Sequence, residues 1–375
     1  MAVTLTALKE EAPGERRVAL VPEVATRLIK DGFLPLIERG AGLDAFFPDA
    51  SYEKAKVELA DRDTAIDKAE IILTVNPPTD SLRARLHQGQ ILIGMLNSRT
   101  DKEAVEALAK TGVTGIDLTL LPRTVSRVQT MDVLSSQASI AGYRAMIVAA
   151  EAFSRYFAMM VTAAGTAKPA KVIVLGAGVA GLQAIGTAKR LGAIVTGYDV
   201  RPSSRTEVES LGATFLVLDS VKDASGEGGY ARELTAEEQK AQQAELSQVI
   251  SGFDIVVTTA KVPGRKPPVL VTAPTVAALA PGSVIVDIGS SSLGGNVEGS
   301  VLNETVLTEN GVTIISGGML DAQIPTGAST MYSRNIANFL TTLLDKESGT
   351  VKLDLEDEIL AAVVVCHEGQ VRKGK

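Results

Sequence analysis

The sequence has 375 residues, more than one typical hydrophobic core accommodates, and its 45% hydrophobic and 22% charged residues predict a globular protein of two or three domains. The net charge of −7 argues against nucleic-acid binding and against a polybasic membrane anchor, because both require a concentrated positive field. One cysteine, Cys366, excludes an intrachain disulfide, and with only His87 and His367 beside it we expect no bound metal.

Short apolar runs alternate with helical patterns from the N-terminus onward, which is typical of a sheet with helices on both faces. In the first third of the chain we predict a helix over residues 22–30 and strands over residues 3–8, 34–37, 71–75, 91–96 and 113–118. Asn76 and Asn97 directly follow two of these strands, at the sheet edge where ligands of such folds bind. This segment is a first α/β unit.

The middle of the chain predicts a passage into a second α/β unit. A loop over residues 122–132 precedes a helical pattern over residues 133–157, and a strand over residues 172–175 then enters a glycine-rich loop. Further strands are predicted over residues 194–198, 214–218, 255–259 and 284–287, with a long exposed loop over residues 219–234. A last helix over residues 328–344 carries an apolar stripe of Tyr332, Ile336, Phe339, Leu340 and Leu343.

These elements predict an α/β fold of two doubly wound parallel-sheet, Rossmann-like domains separated by a cleft. The flavodoxin- or Rossmann-like first domain comprises residues 1–133 and is completed by residues 320–375, and residues 134–319 form the second, Rossmann domain, which contains the glycine-rich loop. No apolar stretch approaches the roughly 20 residues of a membrane-spanning helix, and the N-terminus does not resemble a signal peptide. We therefore expect a cytoplasmic chain without direct membrane insertion.

A dinucleotide-binding fingerprint begins the second unit. Gly176, Gly178 and Gly181 match G-x-G-x-x-G between an apolar strand and a helix, which is the context that makes this otherwise weak motif informative. Gly176 would permit the tight turn, Gly178 the approach of the pyrophosphate, and Gly181 the packing of helix on strand. The helix start, at Val179 and Ala180, would offer its N–H groups to the pyrophosphate. The alternative is that the glycines serve only a strand–helix turn.

An acidic residue at the end of the next strand predicts which dinucleotide binds. Asp199 lies 18 positions after Gly181 (199 − 181), and Val200 and Arg201 follow it. The carboxylate can accept from ribose hydroxyls and would repel a 2′-phosphate, whereas Arg201 could accommodate one. Because the acid occupies the expected place, we predict NAD(H) rather than NADP(H).

Several further segments are recognisable along nearly the whole chain. They are PGERRVALVP at residues 13–22, QTMDVLSSQ at 129–137, AGYRA at 141–145, TAAGT at 162–166, GVAGLQA at 178–184, GGYA at 228–231, VPG at 262–264 and GGN at 294–296. Together they resemble the NAD(H)-binding domain I, or alpha subunit, of proton-translocating nicotinamide nucleotide transhydrogenase, in the alanine dehydrogenase/PNT superfamily.

Alanine dehydrogenases share this fold and glycine loop, and the resemblance to them implies a catalytic lysine after the strand near residue 75 and a histidine after the strand near residue 95. Those places hold Asn76 and Asn97. Reduction of an imine or keto acid needs a proton donor with a tunable pKa, and an Asn amide is not one. Arg17, which in that family would grip the substrate carboxylate, is retained, with a local structural role as the alternative. An alanine-type amino-acid dehydrogenase is therefore the second hypothesis, after a transhydrogenase subunit.

Direct hydride transfer needs no proton donor, only two nicotinamide rings held within roughly 3–3.5 Å and shielded from water. One glycine fingerprint gives one nucleotide site, so the resemblance implies that NADP(H) lies on a partner subunit and that a membrane-spanning subunit couples transfer to proton translocation. It implies an NAD(P)+ transhydrogenase of the Si-specific, proton-translocating type, active only with its partner. A homodimer, peripheral at the inner face of the cell membrane, is implied as well. A non-catalytic NAD(H)-binding subunit is the third hypothesis.

The loop before the long helix matches the family's nicotinamide-side loop, which carries an Arg, a Gln and an Asp followed by a Ser. Gln129, Asp132 and Ser135 match the last three, and Gln129 and Asp132 would position the nicotinamide without acid–base chemistry. Because the loop is one residue longer than the family's equivalent, either Arg123 or Arg127 faces the nicotinamide, and we favour Arg123. The alternative is a capped helix start with Asp132 as N-cap, and both roles can hold together.

The resemblance places other residues against the nucleotide. Gly229 and Tyr230 match a mobile loop that closes over it, with a plain crossover loop as the alternative. Gln243 matches a position near the adenosine.

The strand ending at Thr259, followed by Ala260 and Lys261, lies on the binding side of the predicted sheet. We expect backbone contacts to the nucleotide there, and plain solvation is the alternative for Lys261. Cys366 lies in an apolar run and is predicted to be a buried thiol.

Overall fold

The computed structural model describes residues 3–221, 223–226, 232–261, 264–345 and 348–372. The chain divides into two compact units, Met1–Gln137 with Ala322–Lys375 (unit 1) and Ala138–Asp321 (unit 2). Unit 1 uses both ends of the chain, whereas unit 2 is one continuous segment. Across the described ranges, no helix is both long and apolar enough to cross a membrane, and no three His, Cys, Asp or Glu residues group as a metal site requires.

Strands and helices alternate along the described chain. The strands are β1 (Val3–Ala7), β2 (Phe33–Glu38), β3 (Glu58–Ala60), β4 (Ile71–Leu73), β5 (Ile91–Gly94), β6 (Thr114–Asp117), β7 (Met160–Thr162), β8 (Gly165–Ala167), β9 (Lys171–Leu175), β10 (Ile194–Tyr198), β11 (Thr214–Phe215), β12 (Ile255–Thr258), β13 (Val284–Asp287), β14 (Thr305–Leu307), β15 (Thr313–Ser316), β16 (Leu344–Asp345), β17 (Thr350–Val351), β18 (Val364–His367) and β19 (Gln370–Val371). The α-helices are α1 (Pro22–Lys30), α2 (Asp49–Lys54), α3 (Arg62–Lys68), α4 (Asp80–Arg83), α5 (Lys102–Ala109), α6 (Val133–Ala152), α7 (Val179–Arg190), α8 (Ser204–Ser210), α9 (Ala236–Ile250), α10 (Ala273–Ala278), α11 (Pro325–Leu343) and α12 (Glu358–Val363).

In the described portion of unit 1, eight strands form a sheet in the order β19-β18-β6-β5-β4-β1-β2-β3. β1 to β6 run parallel, and β18, from the C-terminal segment, pairs antiparallel with β6. β4 and β5 are buried at every position, and two clusters of apolar side chains lie against this sheet. A parallel sheet with helices on both faces produces this pattern.

The helices of unit 1 follow the apolar periodicity of the sequence. α1 has the predicted bounds because Pro22 occupies a first helical position and Gly32, at φ +100°, cannot continue the helix. α11 buries the predicted stripe of Tyr332, Ile336, Phe339, Leu340 and Leu343 completely. The C-terminal segment of the chain thus supplies both core side chains and a strand to unit 1.

In the described portion of unit 2, seven strands form a sheet in the order β11-β10-β9-β12-β13-β15-β14. All neighbouring pairs are parallel except β14 with β15. The parallel strands therefore have the Rossmann order 3-2-1-4-5-6. The chain adds strands outward on one side of β9 and then returns to add the rest on the other side, so the order reverses between β9 and β12. Ligands of such sheets bind beyond the carboxyl ends of the strands at that reversal. Two sheets dominated by parallel strands confirm the predicted α/β class.

The largest departure from the predicted elements follows α6. This helix ends at Ala152 rather than at residue 157, and the rings of Phe153 and Phe157 meet edge to face at 5.9 Å. Phe157 is drawn back to the sheet, where its carbonyl accepts from the Ala170 N–H (3.0 Å). Between Phe157 and Ala170, β7 and β8 form an unpredicted two-stranded hairpin that is exposed along its length.

Smaller departures affect short elements. β3 was not predicted, the predicted strand over residues 214–218 is reduced to β11, and a 3₁₀ helix, Ser126–Met131, lies inside the predicted loop over residues 122–132. The predicted exposed loop over residues 219–234 is partly pinned where it is described. Val221 and Ala224 are buried, and the Ala224 N–H donates to the Val200 carbonyl (2.9 Å).

Candidate dinucleotide site

The turn from β9 into α7 admits only glycine at two positions. Gly176 has φ +104° and donates its N–H to the Tyr198 carbonyl (2.8 Å), and a Cβ on Gly181 would overlap the Gly176 carbonyl oxygen. Gly178 is exposed, and among the described residues no atom lies within 4 Å of the place its Cβ would occupy. A tight turn, an open face and a close packing contact are thus divided among the three glycines.

The start of α7 faces outward beside this open position. Gly178 is the N-cap residue and supplies no capping side chain, and the first turn contains no acidic residue. Val179 is exposed and Ala180 is half-buried. N–H groups at a helix start carry partial positive charge and need an acceptor from outside the helix. The arrangement can therefore bind the pyrophosphate of a dinucleotide.

The Asp199 carboxylate, at the end of β10, is bonded on both oxygens. Oδ1 accepts from the N–H and Nε of Arg201 (2.9 and 2.8 Å), and Oδ2 accepts from Nη2 of Arg201 and from the Ala177 N–H (2.8 Å each). These hydrogen bonds, opposed by burial, raise the pKa of the Arg201 guanidinium. The pairing ties the strand end to the glycine loop and neutralises Arg201, the residue that could have accommodated a 2′-phosphate.

The segment after β12 supports the glycine loop from the neighbouring strand. Thr259 Oγ1 donates to the Gly176 carbonyl (3.0 Å), and the Ala260 carbonyl accepts from Asn296 Nδ2 (2.9 Å). Lys261 is exposed. Asn296, which the sequence indicates only as the last residue of the segment GGN, is fully buried and holds this segment through its amide.

Two neighbouring glutamines of α9, Gln242 and the predicted Gln243, have different partners. Gln242 is buried and donates to the Tyr198 hydroxyl (2.8 Å), whereas Gln243 donates to the Val269 carbonyl (2.7 Å). Burial at Gln242, Leu246 and Ile250 follows the helical repeat, which is the signal that could have identified Gln242. Gly229 and Tyr230, matched to a closing loop, lie outside the described residues.

Three predicted residues of unit 1 come together at the start of α6. Arg123 donates from Nε to Asp132 Oδ2 (2.9 Å) and from Nη2 to Ser135 Oγ (2.7 Å). Ser135 in turn donates its N–H to Asp132 Oδ1 (2.9 Å) and its hydroxyl to Oδ2 (2.7 Å). Asp132 therefore caps the helix and orients Arg123 at the same time.

Arg127 is directed elsewhere. Its Nη2 donates to Asp357 Oδ2 (2.6 Å) and Glu358 Oε1 (3.4 Å) at the start of α12. Gln129 is exposed, and among the described residues its side chain has no hydrogen-bond partner. The geometry groups Arg123, and not Arg127, with Asp132 and Ser135.

Arg17 and Asn76 belong to a buried polar network in unit 1. Arg17 donates from Nε and Nη2 to Glu15 (2.8 and 2.6 Å) and from Nη1 to Gln137 (3.0 Å). Asn76 Nδ2 donates to Glu10 (3.0 Å) and Glu15 (2.9 Å). The Arg17 side chain is 5% exposed, so it is held by partners within the protein rather than presented to a substrate carboxylate.

The two carboxyl groups of this network titrate differently. Burial raises the pKa of Glu10 to about 7, although the Val75 N–H (2.6 Å) and both the backbone and the side-chain nitrogen of Asn76 donate to it. Burial also acts to raise the pKa of Glu15, but the hydrogen bonds and charge of Arg17 outweigh it and hold that pKa below its ordinary value. Glu10 is therefore the group here that titrates near neutrality, and its oxygens face amides of the protein itself.

Comparison with known proteins gives consistent relatives across the chain. It is 42% identical over 372 residues to an NAD(P) transhydrogenase subunit alpha chain of Rickettsia prowazekii, an alignment that covers 98% of this chain and 95% of the relative. The crystal structure of transhydrogenase from Sinorhizobium meliloti superimposes with a TM-score of 0.88 at 38% identity, covering 98% of this chain and 99% of that one. Alanine dehydrogenase of Mycolicibacterium smegmatis is more distant, at 27% identity over 366 residues covering 95% of this chain and 91% of the relative.

Two family models match in succession and span both units. The N-terminal domain of alanine dehydrogenase/PNT matches residues 6–141, and the C-terminal domain matches residues 145–374. The first match contains Arg123, Asp132 and Ser135, and the second contains the glycine loop and Asp199. On this coverage and on the identity to the transhydrogenase subunit, the chain belongs to the alanine dehydrogenase/PNT family.

Proposed function

We propose that this chain is the NAD(H)-binding subunit of a proton-translocating transhydrogenase and passes hydride directly between NAD(H) and NADP(H) held by a partner subunit. The observation that carries the proposal is which residues occupy the positions where an amino-acid dehydrogenase of this fold would need acid–base groups, and how those residues are bonded. Asn76 is fixed between two carboxylates, Asn97 is exposed at φ +53°, and Arg17 is tied to Glu15. The greater identity to the transhydrogenase subunit than to alanine dehydrogenase supports the same reading.

Such a reaction asks the protein for positioning rather than proton transfer. NAD(H), when bound, supplies or accepts the hydride at its nicotinamide ring. In unit 2, the N–H groups at Gly178, Val179 and Ala180 bind the pyrophosphate, and Asp199 accepts from the adenosine ribose. Val200 and Gln243 lie toward the adenosine, and the segment Thr259–Ala260–Lys261 offers backbone contacts. We also assign Gly229 and Tyr230, outside the described residues, to a loop that covers the nucleotide.

In unit 1, we assign the nicotinamide-positioning role to the Arg123 cluster, which consists of Arg123, Asp132 and Ser135. Its internal hydrogen bonds orient the guanidinium before any ligand arrives, and pre-oriented donors lose little freedom on binding. Gln129, exposed beside the cluster, is left for contact with the carboxamide or with the second nucleotide.

We propose three associations for the chain. One partner holds NADP(H), and a second, membrane-spanning partner couples transfer to proton movement, which would keep this chain at the cytoplasmic face of the membrane. The third is a second copy of the chain. The segment that leads from α6 into the β7–β8 hairpin exposes 58% of Tyr156, 62% of Met159, 42% of Met160 and 74% of Val161 to solvent. Such a row of large apolar side chains is costly to leave in water and suits a homodimer contact.

The decisive experiment supplies the chain with alternative hydride acceptors. With NADH and an NADP analogue on an isolated NADP(H)-binding partner domain, we expect transfer that requires both proteins. With NADH, pyruvate and ammonia alone we expect no turnover, and brisk oxidation there would instead establish the alanine-type reading. NADH binding without transfer to any partner would leave a non-catalytic nucleotide-binding subunit. Stereospecifically deuterated NADH reports the ring faces used, for which the resemblance implies the Si type.

A further inference from the structure

We propose that Gly142, on α6, is a positioning residue of the dinucleotide site and fixes the location of the first turn of α7. The inference rests on the proposed NAD(H) binding and adds to the site a residue outside the glycine fingerprint. Gly142 stands 34 positions before Gly176 (176 − 142), within a helix that the sequence indicates only as a connection.

The contact that carries the inference is between Gly142 and the backbone of Ala180. Gly142 is buried, and a Cβ there would overlap the Ala180 carbonyl oxygen and lie 2.8 Å from its carbonyl carbon and 3.0 Å from its Cα. The Cα hydrogen of Gly142 that takes the place of a Cβ points at the Ala180 carbonyl oxygen, as in a Cα–H···O contact. Because the atoms met are backbone, no rotamer change can relieve the overlap. Any side chain at this position would displace α6 or the start of α7.

The same turn is fixed by a second glycine contact. A Cβ on Gly181 would overlap the carbonyl oxygen of Gly176, and that oxygen accepts from Thr259 Oγ1 (3.0 Å). The first turn of α7 is therefore located by α6 through Gly142 and by the strand ends through Gly181. Since its N–H groups must meet the pyrophosphate, a displacement of about 1 Å would misalign them and the nucleotide they hold.

Close backbone contact is not a general property of the helical glycines in this unit. Gly186 lies two turns further along α7, and the atoms nearest to a Cβ there are Arg190 Nη1 at 3.6 Å and Leu211 Cδ2 at 3.9 Å, which are ordinary contact distances. Gly186→Ala is thus a matched control for Gly142→Ala. Both replace a buried helical glycine, and in both the alanine favours the helix intrinsically.

The experiment measures binding of NADH, ADP and adenosine by calorimetry to the full chain and to both variants. For Gly142→Ala we expect NADH and ADP to bind at least 10-fold more weakly and adenosine, which lacks the pyrophosphate, to bind as in the wild type. We expect Gly186→Ala to bind all three as the wild type does. Hydrogen exchange of the amides of residues 179–182, measured without nucleotide, should quicken in Gly142→Ala alone.

Each other result overturns the inference. NADH binding within twofold of the wild type in Gly142→Ala would show that the turn does not depend on this contact, and equal loss of adenosine would show general damage to the unit. If Gly142→Ala does not fold, Ala180→Gly is measured in its place, because a glycine there loosens the contacted turn of α7 without changing α6. NADH binding to Ala180→Gly within twofold of the wild type would then overturn the inference. If the wild type binds no NADH, the proposed function fails, and the exchange experiment still tests the contact.

Discussion

Asp199 is bonded by one arginine on both carboxylate oxygens, so its charge neutralises Arg201, and we propose that the same carboxylate accepts from the adenosine ribose. Asp199→Asn removes that charge and leaves the Arg201 guanidinium without its counter-ion. A hydrogen bond to a charged group is worth about 1.5–3 kcal/mol, so we expect NADH affinity to fall by roughly 10- to 100-fold. NADPH should bind relatively better, because Arg201 then faces a 2′-phosphate. Fluorescence titration with both nucleotides measures the change.

A matched variant separates the site from the unit as a whole. Asp254 pairs with Arg155 and accepts from the Lys171 N–H at the opposite edge of the same sheet, where β9 and β12 begin. Asp254→Asn should leave the ratio of NADH to NADPH affinity unchanged. An unchanged ratio in Asp199→Asn as well would remove the discriminating role assigned to that carboxylate.

The buried carboxyl of Glu10 predicts a pH dependence of stability. Its pKa in the folded protein, about 7, lies above its ordinary value of 4.5, so the folded state holds the proton more tightly than the unfolded state does. The stability that this adds is complete below about pH 4.5 and is lost as the pH rises to about 7. Between pH 5 and 8, Glu10→Gln should gain on the order of 2–3 kcal/mol of unfolding free energy relative to the wild type.

Urea denaturation at several pH values checks this, with the exposed residue Glu53 changed to Gln as the control. The lowered pKa of Glu15 acts in the opposite sense, since its stabilisation is lost as the pH falls below about 4.5, outside the measured window. Parallel pH profiles for Glu10→Gln and the wild type would contradict the assignment of the shift to Glu10.

The sequence predicts which residues come together where a motif fixes their spacing, but not where a distant partner decides. The glycine spacing and the position of Asp199 follow from local sequence, and the structure groups them as a strand–turn–helix with a strand end. Nothing local distinguishes Arg123 from Arg127, because the partner that removes Arg127 is Asp357, 230 positions later. Likewise, Asn76 meets Glu10 and Glu15, more than 60 positions earlier in the chain, only once β1 and β4 pair.

At the scale of elements, the contacts at the start of α6 predict that replacing Arg123 slows hydride transfer much more than replacing Arg127. Arg123→Ala removes a pre-oriented donor, and we expect hydride transfer with the NADP(H)-binding partner to slow by about 100-fold. Arg127→Ala should leave transfer within about twofold, because Arg127 is half-exposed and surface ion pairs contribute only about 0–1 kcal/mol. Stopped-flow transfer rates compare the two. Comparable slowing in both variants would mean that the cluster at Asp132 does not define the nicotinamide contact.

Elements with strong terminal signals or continuous burial are predicted with their bounds, as for α1 and β13. The elements that were missed lack such patterns. β3 has three residues at a sheet edge, and the strands of the β7–β8 hairpin are exposed, so no alternation of apolar and polar residues marks them. The helix predicted over residues 133–157 extends past the end of α6 because Phe153 and Phe157 continue its apolar pattern. These two rings instead pack against each other after the helix has ended.

For the whole molecule, the exposed hairpin predicts an association that can be abolished. Val161→Glu combined with Met159→Glu places two charges on this surface, and we expect a dimer to become a monomer in light scattering at micromolar concentration. Leu307→Glu changes another apolar side chain of unit 2, 71% exposed on the edge strand β14, and should leave the dimer intact. A wild-type chain that is monomeric at high concentration would contradict the proposed homodimer.

The discontinuity of unit 1 bears on the order in which the protein matures. Unit 2 ends at Asp321, whereas the sheet of unit 1 gains β18 and β19 only from residues 364–371 and its core gains α11 from the same late segment. As the polypeptide leaves the ribosome, the N-terminal segment of unit 1 is thus made before unit 2, although unit 1 is completed after it. Until then β6 presents an unpaired strand edge, and nascent chains that stall after Asp321 would expose it to chaperones and to one another.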